Sequence, residues 1–576
     1  MWRRALALSA AIVLGVGRPA TAGRLKAADV ERIIAQGVVE ARRVGLPVTI
    51  AVVDREGNQL GVFEMDGAEN ATLLCGRRTC RSTTSGPGFE GFPIPAEIPV
   101  LSMTGSDIAA ISKAGTAAFF STQGNAFSTR SASFIVQQHF PPGVTNTSSG
   151  PLFGVQFSQL PCSDVNAALP LGLSGDPGGL PLYKHGRAAG GVGVEGDGIY
   201  RADLNPTDDD VTREEQIAVA ATVGFPTPDE IRGDRIYVNG LRLPFRNVEP
   251  GPRRRAPTID LTSAGTFRVG PFDSPASRIM RRTLGGVHGG FLVNEVGAER
   301  FPIVDAIDPP PGDGGLTAAD VRRILGQGAR QADRTRAGIR RPIGDRARVN
   351  LTVVDRAGTI IGFFRTADAP VFGIDVSAQK ARTAAFFSSA NAAARFRAEG
   401  MARAVRMILP KDNISGFVTA AARDGIDLDG RIAFSDRAVG FLSRPFFPDG
   451  IDADAPGPFS RPIQTFSIFN DGLQVELVKE VIVDLLINGK LPTEGCTRVP
   501  GLPNGIQIFP GSVPLYRGRK LIGAIGISGD GVDQDDIVAA AGSAGFEAPP
   551  DMRADQVMVR GIRLPYVKFP RRPTDR

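Results

Sequence analysis

The sequence predicts a mixed α/β (α+β) chain built from two copies of one unit, each an antiparallel sheet with helices packed on it. Three observations predict this. Short stretches recur in the same order, helical and strand periodicities alternate within each copy, and Gly-rich turns separate them. "KAGTAAFFS" (Lys113–Ser121) and "KARTAAFFS" (Lys380–Ser388) agree at eight of nine positions. "LKAADVERIIAQG" from Leu25 returns as "LTAADVRRILGQG" from Leu316, and "TIAVVDREGNQLGVFE" from Thr49 as "NLTVVDRAGTIIGFFR" from Asn350. "LPLY" at Leu180 returns as "VPLY" at Val513, "GVGVEGDG" at Gly191 as "GAIGISGDG" at Gly523, and "VNGLRLPF" at Val238 as "VRGIRLPY" at Val559.

Each element follows from its residues. Val30, Ile33, Ile34, Val38 and Ala41 share one helical face, repeated by Val321, Ile324, Leu325, Ala329 and Ala332. Thr317 with Asp320 forms a capping-box pattern at the second start, whereas Lys26 replaces the Thr in the first. The β-branched runs "TIAVVD" and "NLTVVD" precede Gly57 and Gly358 and further apolar runs, which predicts hairpins. "KARTAAFFS" has the composition of a buried helix with Phe386 and Phe387 as bulky anchors, and "KLIGAIGISGDG" reads as a strand leading to a helix from about Asp533. The order expected in each unit is helix, hairpin, helix, insertion, strand pair, helix and short strand. The boundaries are a signal peptide at 1–22, a first unit at 23–245 with an insertion near 66–107, a linker region at 246–315, and a second unit at 316–570 with an insertion near 392–500. "PPPGDGG" (Pro309–Gly315) ends the linker as a semi-rigid piece and then a flexible one.

Composition narrows the function. The formal charge of +6 is small for 576 residues, and acids are interspersed with the arginines, which argues against a nucleic-acid partner. The one tight basic cluster, Arg253–Arg255, reads as a solvated linker. "MWRRALALSAAIVLGVGRPATA" has a charged start, an apolar run and an Ala-x-Ala end, the pattern of a cleaved export signal. Its apolar run is too short for the ~20 residues of a membrane span, and no later run reaches that length. An exported chain, periplasmic or extracellular, is expected to oxidise its four cysteines. Cys75 and Cys80 would staple the first insertion, and no second Cys or His pair completes a metal site. Cys162 and Cys496 lie at near-equivalent places before Tyr183 and Tyr516, so a bridge between the two units is expected, the alternative being two buried thiols.

The set "LTAADVRRIL", "VNLTVVDRAGTIIGFFR", "QKARTAAFFSS" and "GSVPLYRGRKLIGAIGISGDGVDQDDIVAAAG" resembles the GlcG/HbpS heme-binding family, tandem duplicated, over about half the chain. The second copy matches best; the first keeps the landmarks, as in "GGLPLYKHGRAAGGVGVEGDG". The resemblance implies a profilin-like α/β/α sandwich, often oligomeric, so a homo-oligomer is one expectation. It also implies a heme or other small tetrapyrrole ligand outside the cell. No iron ligand carries over residue by residue, because the only histidines are His139, His185 and His288 and the second copy has "PLYRGRK" where the first has "PLYKHGR".

Heme iron can be held by His, Met, Cys or Tyr. The expected cofactor-binding set is therefore Tyr183 and His185, with Tyr516 at the matching place. Arg187, Arg517 and Arg519 would meet propionates, and Lys113 and Lys380 would form a positive lip. The structural alternatives are turn tyrosines packed on the sheet and solvated lysines in a first helical turn. His139 reads as a helix-end histidine, and His288 as part of a Gly-rich loop. Asp530, Asp533, Asp535 and Asp536, like Asp208–Asp210, read as helix N-caps rather than a Ca²⁺ loop. No catalytic constellation is present: there is no GxSxG, Walker loop or HExxH, and the Gly-rich strand ends lack dinucleotide-loop spacing. The expected function is an exported, non-catalytic heme-binding protein. The alternatives are a structural or interaction module without heme, or a weak enzyme acting on small oxidised metabolites.

Overall fold

The computed structural model describes residues 23–568 other than 78, 85, 145–146, 206–207, 250–258, 407–413, 449–450 and 452–453. The expected export signal at 1–22 and the Arg253–Arg255 cluster lie outside the described residues. The first half of the chain runs α1 (Ala27–Val44), β1 (Thr49–Asp54), β2 (Gln59–Met65), β3 (Thr72–Cys75), β4 (Pro93–Ile94), α2 (Gly105–Phe119), α3 (Thr129–Ile135), β5 (Gly179–Lys184), β6 (Arg187–Glu195), β7 (Ile199–Arg201), α4 (Arg213–Ala221), β8 (Tyr237–Val238), β9 (Leu241–Arg242) and β10 (Gly265–Val269). The second half runs β11 (Ile279–Leu284), β12 (Val287–Leu292), α5 (Ala318–Ala332), β13 (Val349–Asp355), β14 (Ile360–Thr366), α6 (Gly373–Phe387), α7 (Ala392–Arg406), α8 (Ile414–Arg423), α9 (Asp436–Leu442), α10 (Leu473–Leu486), β15 (Ser512–Arg517), β16 (Lys520–Gly529), α11 (Val532–Gly542), β17 (Met558–Val559) and β18 (Ile562–Arg563).

Two antiparallel sheets organise these elements, in the orders β10-β2-β1-β6-β5 and β11-β12-β14-β13-β16-β15. The four strands quoted as repeats occupy matching places in both. Asp54 closes the first hairpin by accepting from the backbone N–H of Glu56 and Asn58 at 2.9 and 3.0 Å. Asp355 does the same for Ala357 and Thr359 at 3.0 and 2.9 Å. The following glycines, Gly57 and Gly358, have φ of +85° and +86°, a region that disfavours a Cβ.

Strand alternation sets the layers. Ile50 and Val52 face α1, while Ala51 and Val53 face α2. The second sheet is likewise covered by α5 and α11 on one face and α6 on the other. The repeated glycines of β6 and β16 permit this: a Cβ on Gly191 or Gly193 would lie 2.1 Å from the carbonyl of Ala114 or Ala110, and one on Gly526 would lie 2.1 Å from that of Ser377. The Gly-rich strands are thus a close-packing surface for helices. The Thr317–Asp320 capping box is formed, and at the first start the Asp29 carboxylate accepts from Lys26 N–H at 2.8 Å.

The expected linker at 246–315 is corrected by the structure. β10 pairs with β2, and β12 pairs with β14, so this stretch extends both sheets. The exposed Arg281 and Arg282 on β11 break the apolar alternation that marks a strand, which hid it. His288 lies on β12, not in a flexible loop. The insertion near 66–107 carries β3 and β4, and that near 392–500 folds as α7 to α10.

Contacts between the halves are extensive. Asp368 accepts from Arg55 at 2.6 Å, from Gln123 N–H at 2.9 Å and from Arg340 at 2.8 Å. Cys162 and Cys496 form a disulfide, with Cα atoms 4.8 Å apart, and Cys75 and Cys80 form another. Among the described residues no helix is long and apolar enough to cross a membrane.

Candidate functional site

Two features gather functional groups: a pair of buried ionic centres and one open cleft. Lys113 lies in the middle of α2 and Lys380 in the middle of α6, and both are fully buried. The expected positive lip and its alternative, solvated lysines in a first helical turn, are therefore both corrected. A lysine inside an Ala-rich helix can be buried only when acids from other elements meet it, and here they do. Lys113 Nζ lies 2.8 Å from Asp176, from Glu195 at the end of β6 and from Glu214 in the first turn of α4. It also donates to the Val194 carbonyl at 3.0 Å. Lys380 donates to the Ile527 carbonyl at 2.8 Å and to Asp535 at 2.9 Å. The ring of Phe509 stands over its ammonium at 4.6 Å, on the side where the first centre has Asp176.

A neighbouring arginine repeats too. Arg130 meets Glu215, Asp203 and Asp210 at 2.7–2.8 Å, and Arg437 meets Asp536 and Asp533. The acids of "SGDGVDQDD" are thus ion-pair partners. The N-cap of α11 is Gly531, with no side-chain cap, and that of α4 is Thr212. This corrects the capping reading of both acidic runs.

Burial disfavours the Lys113 ammonium, but Asp176, Glu195 and Glu214 outweigh it and hold its pKa well above the ordinary lysine value. Burial pushes the Glu214 carboxyl up to about 7 against the pull of Lys113, and Asp535 up to about 7 against Lys380. Burial likewise raises Asp471 to about 7 and Asp375 to about 6. A raised carboxyl pKa means that the folded state binds the extra proton, so this stabilisation is complete below the unfolded value near 4 and is lost as pH rises through 6–7. Asp320, Asp368 and Asp533 are lowered and act oppositely, but below about pH 4. The unfolding temperature should therefore be higher at about pH 5.5 than at about pH 8. Calorimetric scans at the two values check this; a higher midpoint at the alkaline value would sink it.

The expected heme set does not converge. Tyr183 is buried, its hydroxyl 2.6 Å from the Thr122 carbonyl and 3.1 Å from that of Asn125, and burial pushes its phenol up. Burial does the same to Tyr516. His185 occupies the exposed turn after β5 at φ +54°, beside the exposed Arg187. Arg517 pairs with Asp320 and Arg519 with Asp551, each at 2.7 Å. The tyrosines point inward from their strands while the arginines sit at the outer hairpin ends, so the two groups cannot share a ligand. His139 lies beyond α3, buried, with its ring stacked on Phe446 at 5.2 Å and Nδ1 2.5 Å from the Thr147 carbonyl.

The cleft has a volume of about 490 Å³. One wall is the β13–β14 turn with Thr359 and Ile360; the other is the loop carrying Arg498, Val499 and Pro500. Phe301 and the Asp164–Arg382 pair complete it. Arg382 reaches Asp164 with two bonds of 2.8 and 2.6 Å and also donates to the Gly358 carbonyl and to Asn504. The Cys162–Cys496 disulfide lies beside the loop wall and the Asp164–Arg382 pair, two residues from Asp164 and one from Thr497.

This second wall is where the chain meets a known family. Residues 491–544 match the family model described as haem-degrading protein HbpS-like. Among solved structures, Klebsiella pneumoniae protein ORFY is 21% identical over 37% of this chain and 97% of its own, with a TM-score of 0.21. A PduOC–heme complex is 19% identical over 35% of this chain and 94% of its own, at 0.21. A double mutant of Streptomyces reticuli HbpS is 19% identical over 38% and 97%, at 0.18. No curated protein matches the chain. The HbpS-like stretch holds the loop wall of the cleft, β15, β16 and α11, and so also Asp535 and Asp536.

Sequence reasoning missed Asp176, Glu195, Glu214, Asp164, Arg382 and Arg498. A signal existed for one pair: "EE" at 214–215 and "DD" at 535–536 follow equivalent strands. The cleft residues come from five separate stretches between Asp164 and Pro503 and left none.

Proposed function

We propose that the chain is an exported, non-catalytic binding protein for a heme-type tetrapyrrole, held in the cleft beside the Cys162–Cys496 disulfide. The observation that carries the reading is that one cleft wall falls inside the HbpS-like stretch. Its volume of about 490 Å³ lies within the range of small-molecule sites, and its apolar residues suit a flat ring. Two disulfides support an oxidising compartment. The cleft does not fit the usual heme-iron ligation, because no His, Tyr, Met or Cys among the described residues lines it; its acids are Asp164, held by Arg382, and the exposed Glu494.

Hemin titration of the chain, followed by absorbance, tests this. Saturation at about one equivalent is expected, and Thr359→Trp should weaken binding at least tenfold by filling the cleft. Thr359 is exposed and its N–H bond to Asp355 survives the change. A linear rise, unchanged by Thr359→Trp, sinks the reading. A second reading, an interaction module without heme, is favoured by one observation: Tyr183, Tyr516, Lys113 and Lys380 are all buried within the fold.

A further inference from the structure

We propose that the cleft recognises a tetrapyrrole through its ring and its carboxylates alone, so that metal-free and metal-bearing porphyrins bind alike. This rests on the reading of the cleft as a tetrapyrrole site.

The side chains that usually ligate heme iron, His, Cys, Tyr and Met, do not line the cleft among the described residues. All four cysteines are in disulfides. His139 is buried against Phe446, His185 sits on the β5–β6 turn and His288 on β12, and none lines the cleft. Tyr183, Tyr200, Tyr516 and Tyr566 are buried, with phenols pushed up by burial, so a phenolate is disfavoured at each. Tyr237 is exposed on β8 and does not line the cleft. Of the two acids at the cleft, Asp164 already carries both bonds from Arg382, and Glu494 is exposed on the same loop as Arg498, where water competes for its carboxylate.

What remains suits a ring with acidic arms. Phe301, Ile360, Val499 and Pro500 provide apolar surface for the macrocycle. The two cations differ in availability. Arg382 is 3% exposed and its guanidinium is spent on Asp164, Asn504 and the Gly358 carbonyl. Arg498 is 37% exposed and holds Glu480 and Asp484 only loosely, at 3.3 and 3.6 Å. A ligand carboxylate can therefore compete for Arg498, and a guanidinium–carboxylate bond is strong and directional. Arg498 is the specificity residue of this proposal, and the ligand class is a planar, carboxylate-bearing macrocycle irrespective of its metal.

Parallel titrations of the full chain with hemin and with protoporphyrin IX test this. The two dissociation constants should agree within about threefold, and Arg498→Gln should weaken both by about tenfold. The hemin spectrum should lack the signature of a protein-ligated iron. If hemin saturates the cleft and Thr359→Trp abolishes that, but protoporphyrin binds more than about thirtyfold weaker, the tetrapyrrole reading stands and metal independence falls. A ligated-iron spectrum would likewise overturn metal independence and leave the tetrapyrrole reading standing. If neither compound saturates, or both bind Thr359→Trp unchanged, the cleft reading itself falls and this inference with it. Equal binding with no response to Arg498→Gln overturns the role of that arginine.

Discussion

Lys113→Met should destabilise the protein by about 3–5 kcal/mol, because three buried carboxylates lose their only shared cation. The size of the effect comes from what is left behind. Asp176, Glu195 and Glu214 are all buried and converge on one Nζ. Without it, their mutual repulsion adds to the desolvation of each. The matched change Lys380→Met should cost less, since that centre pairs the lysine with one carboxylate and an aromatic ring, and Met fills a space beside Phe509 acceptably. Denaturant midpoints of the two variants measure the difference. Acid should rescue Lys113→Met in part, because protonating the carboxylates removes the repulsion. An effect of Lys113→Met no larger than that of Lys380→Met would contradict a cost set by stranded charge.

Removing the Cys162–Cys496 bridge should cost roughly 4–6 kcal/mol, against roughly 2 for Cys75–Cys80. The difference arises in the unfolded chain. The first bridge spans 334 residues and the second five, so the longer loop loses more chain entropy when closed. The double Ser variant at each pair, compared by urea unfolding under oxidising conditions, gives both values. The long bridge also borders the cleft, so its loss should weaken ligand binding as well as stability. If the Cys75/Cys80 variant proved the less stable of the two, loop length would not be the deciding factor.

Local rules made much of this fold readable. β-branched runs with a glycine turn gave the hairpins, apolar spacing gave α1 and α5, and the repeat gave the matching order of strands. The equivalent placement of Cys162 and Cys496 pointed to their pairing. The site was less readable for a definite reason. A lysine at mid-helix looks the same in sequence whether water or three acids surround it, and Glu214 is 101 positions from Lys113. Tyr183 was found as a recurring residue, but its alternation inward, away from Arg187, depends on a bulge between Leu182 and Tyr183. In 246–315, β11 was hidden because its adjacent exposed arginines mask the alternation, and β12 because Gly289 and Gly290 interrupt it.

Fusing two like units has a consequence for valence. A pair of separate identical chains must present each surface twice, whereas two units on one chain are free to differ. At the first hairpin turn, a Cβ on Gly57 would meet Phe119 and Ala168; at the second, one on Gly358 would meet Gly501, and the cleft opens there. Asp368 likewise draws Arg55 and Arg340 from opposite halves. Both turns are closely packed at their glycine, but among the described residues only the second borders the cleft, so on the proposed reading the two equivalent turns serve different ends.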